Sequence, residues 1–368
     1  MSPLQTVTAR LRAEVEAHRL QFDGAQFSAA QRLDALSEEL RVQSSTILRR
    51  LHAALPWLPG GSGEMPARGV YLWGGVGRGK TLLMNMFHAS TAGAQRSHFY
   101  HFMRNVHEEL ASIKHSAQPL DIVARRLAAR ARVICLDEFF VADIADAMML
   151  AGLFDGLFRR GVTLVATSNL PPQDLYRDGL QRQRFLPAIA LIQAHVSVLH
   201  LDGGIDYRLR QLEQAPTYLD SNLPETPAAL RQRFAALTGN AASGPRTLTI
   251  EGRELHALAE GQGTVCFRFS ELCEGPRSQN DYIELARLYH TIFIENIPVF
   301  GPSDEDAARR LIMLIDEFYD RGVKIVVSAA APPASLYRGE RLHFEFERAA
   351  SRLIEMQTHD YLARQHCP

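Results

Sequence analysis

One run of eight residues constrains the fold of this chain more than any other: Gly74-Gly-Val-Gly-Arg-Gly-Lys-Thr81. It fits the spacing G-x-x-x-x-G-K-[ST], which chance supplies in roughly one chain of this length in a hundred. An apolar, β-like run, GVYLWGG, leads into it, and a helical pattern starts at Lys80. A strand that turns through glycines into a helix is the setting in which this motif holds phosphate. Its glycines let backbone N–H groups turn inward, and the helix N-terminus adds partial positive charge. Gly74, Gly75, Val76, Gly77, Arg78, Gly79, Lys80, Thr81 and Leu82 are therefore the expected nucleotide-binding residues. Lys80 is placed to reach the β- and γ-phosphates, and the Thr81 hydroxyl suits Mg²⁺.

The lysine is informative for a second reason. The chain has 40 basic residues, and its only lysines are Lys80, Lys114 and Lys324. Arginine habit at the codon level explains the bias; a lysine kept inside the motif points to a chemical requirement there.

Val133-Ile-Cys-Leu-Asp-Glu138 supplies the partner motif. An apolar strand delivers Asp137 towards the Mg²⁺ shell, and Glu138 is placed to polarise an attacking water. The glutamate favours hydrolysis over transfer to a small acceptor. The next strand ends in VATSN, which puts Asn169 where it can orient that water or touch the γ-phosphate. Arg177, Arg182 and Arg184 cluster just beyond. Arg182 is the expected finger for a neighbouring subunit's site, with Arg184 the alternative. ATP and Mg²⁺ are the expected cofactors, with Thr81 and Asp137 as the metal-facing residues.

The chain also repeats itself. Residues 147–178 laid on 308–339 without a gap share 13 of 32 positions, where unrelated sequences share roughly two. Both copies carry the tail PP-x-x-LYR, and RVICLDEF lies over HTIFIENI. The pattern reads as a duplicated strand-helix-strand unit. In the second copy, however, Asp137-Glu138 becomes Glu295-Asn296, Asn169 becomes Ala330, Arg182 becomes His343, and no phosphate-loop motif appears. The second copy is thus expected to be a lobe without its own active site. Arg348 and Arg352 share one face of its last helical pattern; Arg352 is the expected nucleotide sensor.

With 368 residues the chain is long enough for two α/β cores, and strands alternating with helical patterns argue for parallel sheets. The expected division is an N-terminal helical region over 1–63, a P-loop core over 64–212, a connecting region over 213–264 and a C-terminal α/β lobe over 265–368. Within the connecting region, TYLDSNLPETPAALRQRF holds one helix; RTLTIEGRELHALAEGQGTVCFRFSEL, running on into the lobe, alternates as two or three strands. The last helical stretch is FERAASRLIEMQTHDYLARQ.

A net charge of -1 supplies no bulk attraction to nucleic acid, which is not expected as a partner. Four cysteines without a C-x-x-C pair fit a reducing cytoplasm, and no apolar run is long enough to span a membrane. Peripheral membrane contact is expected only through a partner. For His98, His101 and His107 no carboxylate or cysteine is expected to complete a metal site, so they are read as ordinary helix-face or strand-end histidines.

Taken together, LWGGVGRGKTLLMNMF, HFMRNVHEEL, LDEFFVADIADAMML, LVATSNLPPQDLYRDGLQRQRFLPAI and DYRLR resemble the ZapE family of cell-division ATPases. The likeness covers most of the chain, and the segment HFYHFM departs mildly from the family pattern. The resemblance implies an AAA+-like P-loop fold, ATP hydrolysis, a homo-oligomer, and contact with the tubulin-like protein FtsZ at the division site. Two other readings stay open: a helicase-loader-like ATPase that associates with nucleic acid, and an ATP-gated adaptor with slow hydrolysis.

Overall fold

Strict alternation along three short strands, 69–73, 133–137 and 163–168, decides which way the first half of the chain faces. Tyr71, Ile134, Leu136, Leu164 and Ala166 enter one apolar cluster; Val70, Leu72, Val133, Cys135 and Val165 enter another on the opposite face. Both faces must then be covered, and helices cover them. The computed structural model describes residues 6–17, 22–45, 67–75, 77–113, 116–141, 143–202, 215–238, 244–261, 263–364 and 366–367, with Leu209 and Leu212. The chain divides into two compact units, 1–205 and 206–368.

In the first unit the elements run α1 (Val7–Glu16), α2 (Gly24–Ser45), β1 (Gly69–Trp73), α3 (Lys80–Ser90), β2 (Ala94–His98), α4 (Phe99–Ser112), α5 (Pro119–Arg130), β3 (Val133–Asp137), α6 (Ile144–Phe158), β4 (Thr163–Ser168), α7 (Leu186–His195) and β5 (Val196–His200). The sheet is parallel throughout, in the order β2-β3-β4-β1-β5. The expected parallel α/β P-loop core is therefore present. α1, α2 and α3 contribute to the cluster on one face, and α4 to α7 to the cluster on the other. Asp34 ties the N-terminal pair together by accepting from Val7 N (2.6 Å) and Thr8 N (3.1 Å), donors a helix start leaves unpaired. The Pro- and Gly-rich stretch over 56–66 falls outside the described residues.

Two strands were not legible. β2, Ala-Gln-Arg-Ser-His, is an edge strand with little apolar content, and β5 is the opposite edge. An edge strand buries less than a central one, so its sequence carries less of the apolar signal.

The second unit holds β6 (Tyr218–Asp220), α8 (Thr226–Thr238), β7 (Arg246–Ile250), β8 (Arg253–Ala257), β9 (Ala259–Gly261), β10 (Thr264–Arg268), α9 (Phe269–Cys273), α10 (Gln279–Leu288), β11 (Thr291–Ile297), α11 (Glu305–Asp320), β12 (Lys324–Ala329), α12 (His343–Glu355) and α13 (His359–Ala363). Its sheet runs β6-β12-β11-β10-β9, antiparallel only at the β9 edge. The stretch expected to hold two or three strands makes four, because a two-residue hairpin turn with positive φ at Glu251 and Gly252 separates β7 from β8. The single closing helix is two, interrupted at Met356–Thr358, where Thr358 caps the second by accepting from Tyr361 N. Within 213–264, the region expected as a connection, β6 and β9 form the two edges of the second sheet.

The repeat is visible in the backbone. β3-α6-β4 and β11-α11-β12 turn from helix to strand alike: Val162 N donates to Leu157 O, and Val323 N to Phe318 O. No helix among the described residues is long and apolar enough to cross a membrane.

Candidate nucleotide site

β1 ends at Trp73, and the chain turns at once through the glycine loop outside the carboxyl ends of the strands, where open α/β sheets place ligands. Two glycines there are obligatory. Gly74 has φ 147°, and a Cβ on it would lie 2.6 Å from the Leu201 carbonyl oxygen. Gly79 has φ 78°, and a Cβ would lie 2.9 Å from the Gln26 amide, which donates to Arg78 O at 3.2 Å. The α2 side chain Gln26 thus braces the loop, a role the sequence did not reveal. Gly75, Gly77 and Arg78 lie in the loop as expected, and Leu82, partly buried, packs against the apolar cluster that α1, α2 and α3 share. Val76 lies outside the described residues.

Lys80 begins α3 and is 8% exposed. Its ammonium donates to Gly74 O (2.8 Å), Gly75 O (2.6 Å) and Asn169 Oδ1 (3.0 Å). A buried cation held by carbonyl dipoles at the start of a helix attracts phosphate strongly. Asn169 follows β4, so the end of that strand meets the loop after β1 here and again where Gly74 N donates to Ser168 O at 3.3 Å.

The acidic pair is organised by hydroxyls. Thr81 Oγ1 donates to Asp137 Oδ1 (3.0 Å), and Thr167 Oγ1 donates to the same oxygen (2.5 Å). Thr167 Oγ1 in turn accepts from Glu138 N at 3.0 Å. Both hydroxyl protons are spent on Asp137, so the Thr81 oxygen keeps its lone pairs for a metal ion. That donor set fits Mg²⁺, which takes few protein oxygens and completes its shell with water and phosphate. Glu138 sits at φ 52°, a conformation uncommon for a residue with a side chain and concentrated at functional sites.

Two residues of β2 complete the site. β2 and β3 pair in register with His98 opposite Asp137, and Arg96 and His98, two apart, share a face. The Arg96 guanidinium pairs with Asp137 Oδ2. His98 Nε2 lies 3.2 Å from Glu138 Oε2, while its Nδ1 accepts from Tyr100 N at the start of α4. One tautomer satisfies both contacts: neutral imidazole with its proton on Nε2, donating to Glu138. His98 ends a strand and His107 lies on a helix, and each meets one carboxylate: Glu138 for His98, and Asp146, at 2.7 Å, for His107. Spacing along the chain could not show either, because the partners lie about forty residues away. Among the described residues no group of three or more His, Cys, Asp or Glu is placed to hold a metal ion. Cys135, two residues before Asp137, is inert, its thiol pushed up to about 12 by burial.

Arg182 lies on a short turn, Arg182–Arg184, and its guanidinium donates to Gln173 O at 2.5 Å. Arg184 is exposed beside it. Arg352 belongs to the second unit, where Asp316 holds it at 2.6 Å over the Tyr319 ring; Arg348 reaches the same carboxylate at 2.7 Å.

A family model described as AFG1-like ATPase matches residues 5–365. The chain is 51% identical over 303 residues to the cell division protein ZapE of Escherichia coli K12, covering 82% of this chain and 81% of that one. It is 37% identical over 345 residues to lactation elevated protein 1 homolog B of Danio rerio, covering 80% of this chain and 68% of the relative. Among solved structures, AMPPCP-bound DnaA from Aquifex aeolicus aligns with a TM-score of 0.35 and 13% identity, over 54% of this chain and 53% of that one.

Proposed function

The chain belongs to the AFG1-like ATPase family and is an ATPase, and from that premise we propose that ATP is turned over, with Mg²⁺, at the site formed by the ends of β1, β3 and β4. Lys80 faces the β- and γ-phosphates, and Thr81 and Asp137 face the metal. Bound Mg²⁺ supplies neutralisation of the phosphate oxygens. Glu138 accepts the proton of the attacking water, and Asn169 holds that water or the γ-phosphate in place. The observation that carries this reading is the hydrogen-bonded chain from Glu138 N through Thr167 to Asp137 and Thr81, with Lys80 and Asn169 joined beside it.

The biological role follows the half-identical relative named for cell division. ATP turnover is coupled to remodelling of a protein partner, and FtsZ assemblies are the partner implied by the resemblance. The protein works in the cytoplasm, is recruited to the division site, and acts as a homo-oligomer. Arg182, on an exposed turn, completes the site of a neighbouring subunit.

ATPase activity per molecule, followed over a protein concentration series, tests the shared site. It should rise with concentration, and Arg182→Ala, inactive alone, should regain turnover when mixed with Glu138→Gln. Activity that is flat with concentration and indifferent to Arg182 would mean that each chain works alone. Pelleting of FtsZ polymers in ATP, with wild type against Glu138→Gln, tests the partner: only wild type should change the polymer fraction, and identical profiles would remove FtsZ from the account.

A further inference from the structure

The two oxygens of Asp137 are engaged differently. Oδ1 accepts from both Thr81 and Thr167, and Oδ2 faces the Arg96 guanidinium. Oδ2 is thus the oxygen with capacity left for a metal shell, and a cation already holds it. The two partners also differ in freedom: the Asp137 side chain is 6% exposed, whereas that of Arg96 is 35% exposed, on an edge strand. A carboxylate this buried is costly without a positive partner. A guanidinium stays charged at any working pH and has a long stem on which to withdraw.

We propose that Arg96 is a resident counter-cation of Asp137 which competes with the nucleotide-bound divalent ion, and so sets how strongly nucleotide binding depends on that ion. This rests on the reading that Asp137 and Thr81 face Mg²⁺. Before loading, Arg96 keeps Asp137 oriented, with its second oxygen towards β2. When metal and nucleotide arrive, two cations claim one oxygen, and their repulsion in a poorly solvated site drives the guanidinium out towards solvent. Arg96 is therefore a positioning residue whose contact with Asp137 is weakened by loading.

The test measures ADP affinity by calorimetry, in EDTA and in saturating Mg²⁺, for wild type, Arg96→Lys, Arg96→Gln and Arg96→Met. ADP carries no γ-phosphate, so any attraction of Arg96 for that group is removed. The quantity read is the metal gain, the Kd in EDTA divided by the Kd in Mg²⁺. Loss of one charge-assisted hydrogen bond that opposes the metal should raise the gain about tenfold in Arg96→Gln. Arg96→Lys, which keeps the charge, should stay near wild type. Arg96→Met keeps the apolar stem without charge and carries the test should Arg96→Gln fail to fold. A gain in the uncharged variants that is unchanged or smaller overturns the proposal and leaves Arg96 a support of Asp137. A wild-type gain of one would overturn the metal reading of the site, and this inference with it.

Discussion

Asp137 and Glu138 stand side by side in the chain but are held by different means. Asp137 is fixed by two hydroxyls and a guanidinium, whereas the Glu138 carboxylate meets a histidine that also caps a helix. The two duties of His98 can be separated by substitution. Asparagine caps helices well but is too short to reach Glu138, and glutamine reaches further but caps poorly. His98→Asn should keep its melting temperature while kcat falls about tenfold at unchanged KM, the sign of a lost orientation rather than lost binding. His98→Gln should keep most of kcat, and His98→Ala should lose kcat and about 1 kcal/mol of stability together. Steady-state kinetics beside thermal melts of the three variants check this. Equal kcat in His98→Asn and wild type would leave His98 a cap and nothing more.

At the scale of elements, the repeat separates framework from chemistry. Glu138 at φ 52° donates its N–H to Thr167 Oγ1; at the equivalent place in the second unit, Asn296 at φ 63° donates to Ser328 Oγ at 2.9 Å. The same peg holds the same strand end, although Ser328 has no acidic pair to serve. Thr167→Val should therefore cost about 1–3 kcal/mol and also lower kcat, because it removes a donor to Asp137 as well as the peg. Ser328→Ala should cost about 1 kcal/mol and leave kcat unchanged. Denaturant unfolding with ATPase assays of both variants decides it; a fall in kcat for Ser328→Ala would contradict the division.

The same scale shows what a sequence can reveal. The loop after β1 and the β3 acids were legible because glycine spacing and buried apolar strands are local signals. Arg96, His98 and Thr167 were not, because their roles exist only once β2 and β4 lie against β3. The rarity of lysine was only partly informative. Lys80 sits in the phosphate loop, but Lys324 is also buried, donating to Gly322 O (2.8 Å) and Arg364 O (2.6 Å) to fasten β12 to the end of the chain. The repeat was legible as 13 shared positions, yet its meaning, a backbone peg kept after the acids changed, needed the φ angles.

At the scale of the molecule, two properties follow from these parts. One is acid lability. Burial, then the neighbouring His98 and Arg104, lower the His101 pKa from 6.5 to about 4. The folded state therefore holds His101 neutral while the unfolded chain takes up a proton below about pH 6.5. Stability from this group is complete above that pH and is lost as pH falls towards 4. Melting temperature should drop between pH 7 and pH 5, and His101→Gln should flatten that slope; an unchanged slope would remove His101 from the acid response. The other is the placing of nucleotide chemistry in the first unit that we propose, where Lys80 meets Asn169 and Thr81 meets Asp137.

That claim is tested most directly by Glu138→Gln, measured for ATP binding and for turnover in the same preparation. The account predicts ATP affinity close to wild type and turnover lower by about 10²- to 10⁴-fold, the usual contribution of a general base. Turnover that persists at the wild-type rate would mean that the base lies elsewhere, and would contradict the account.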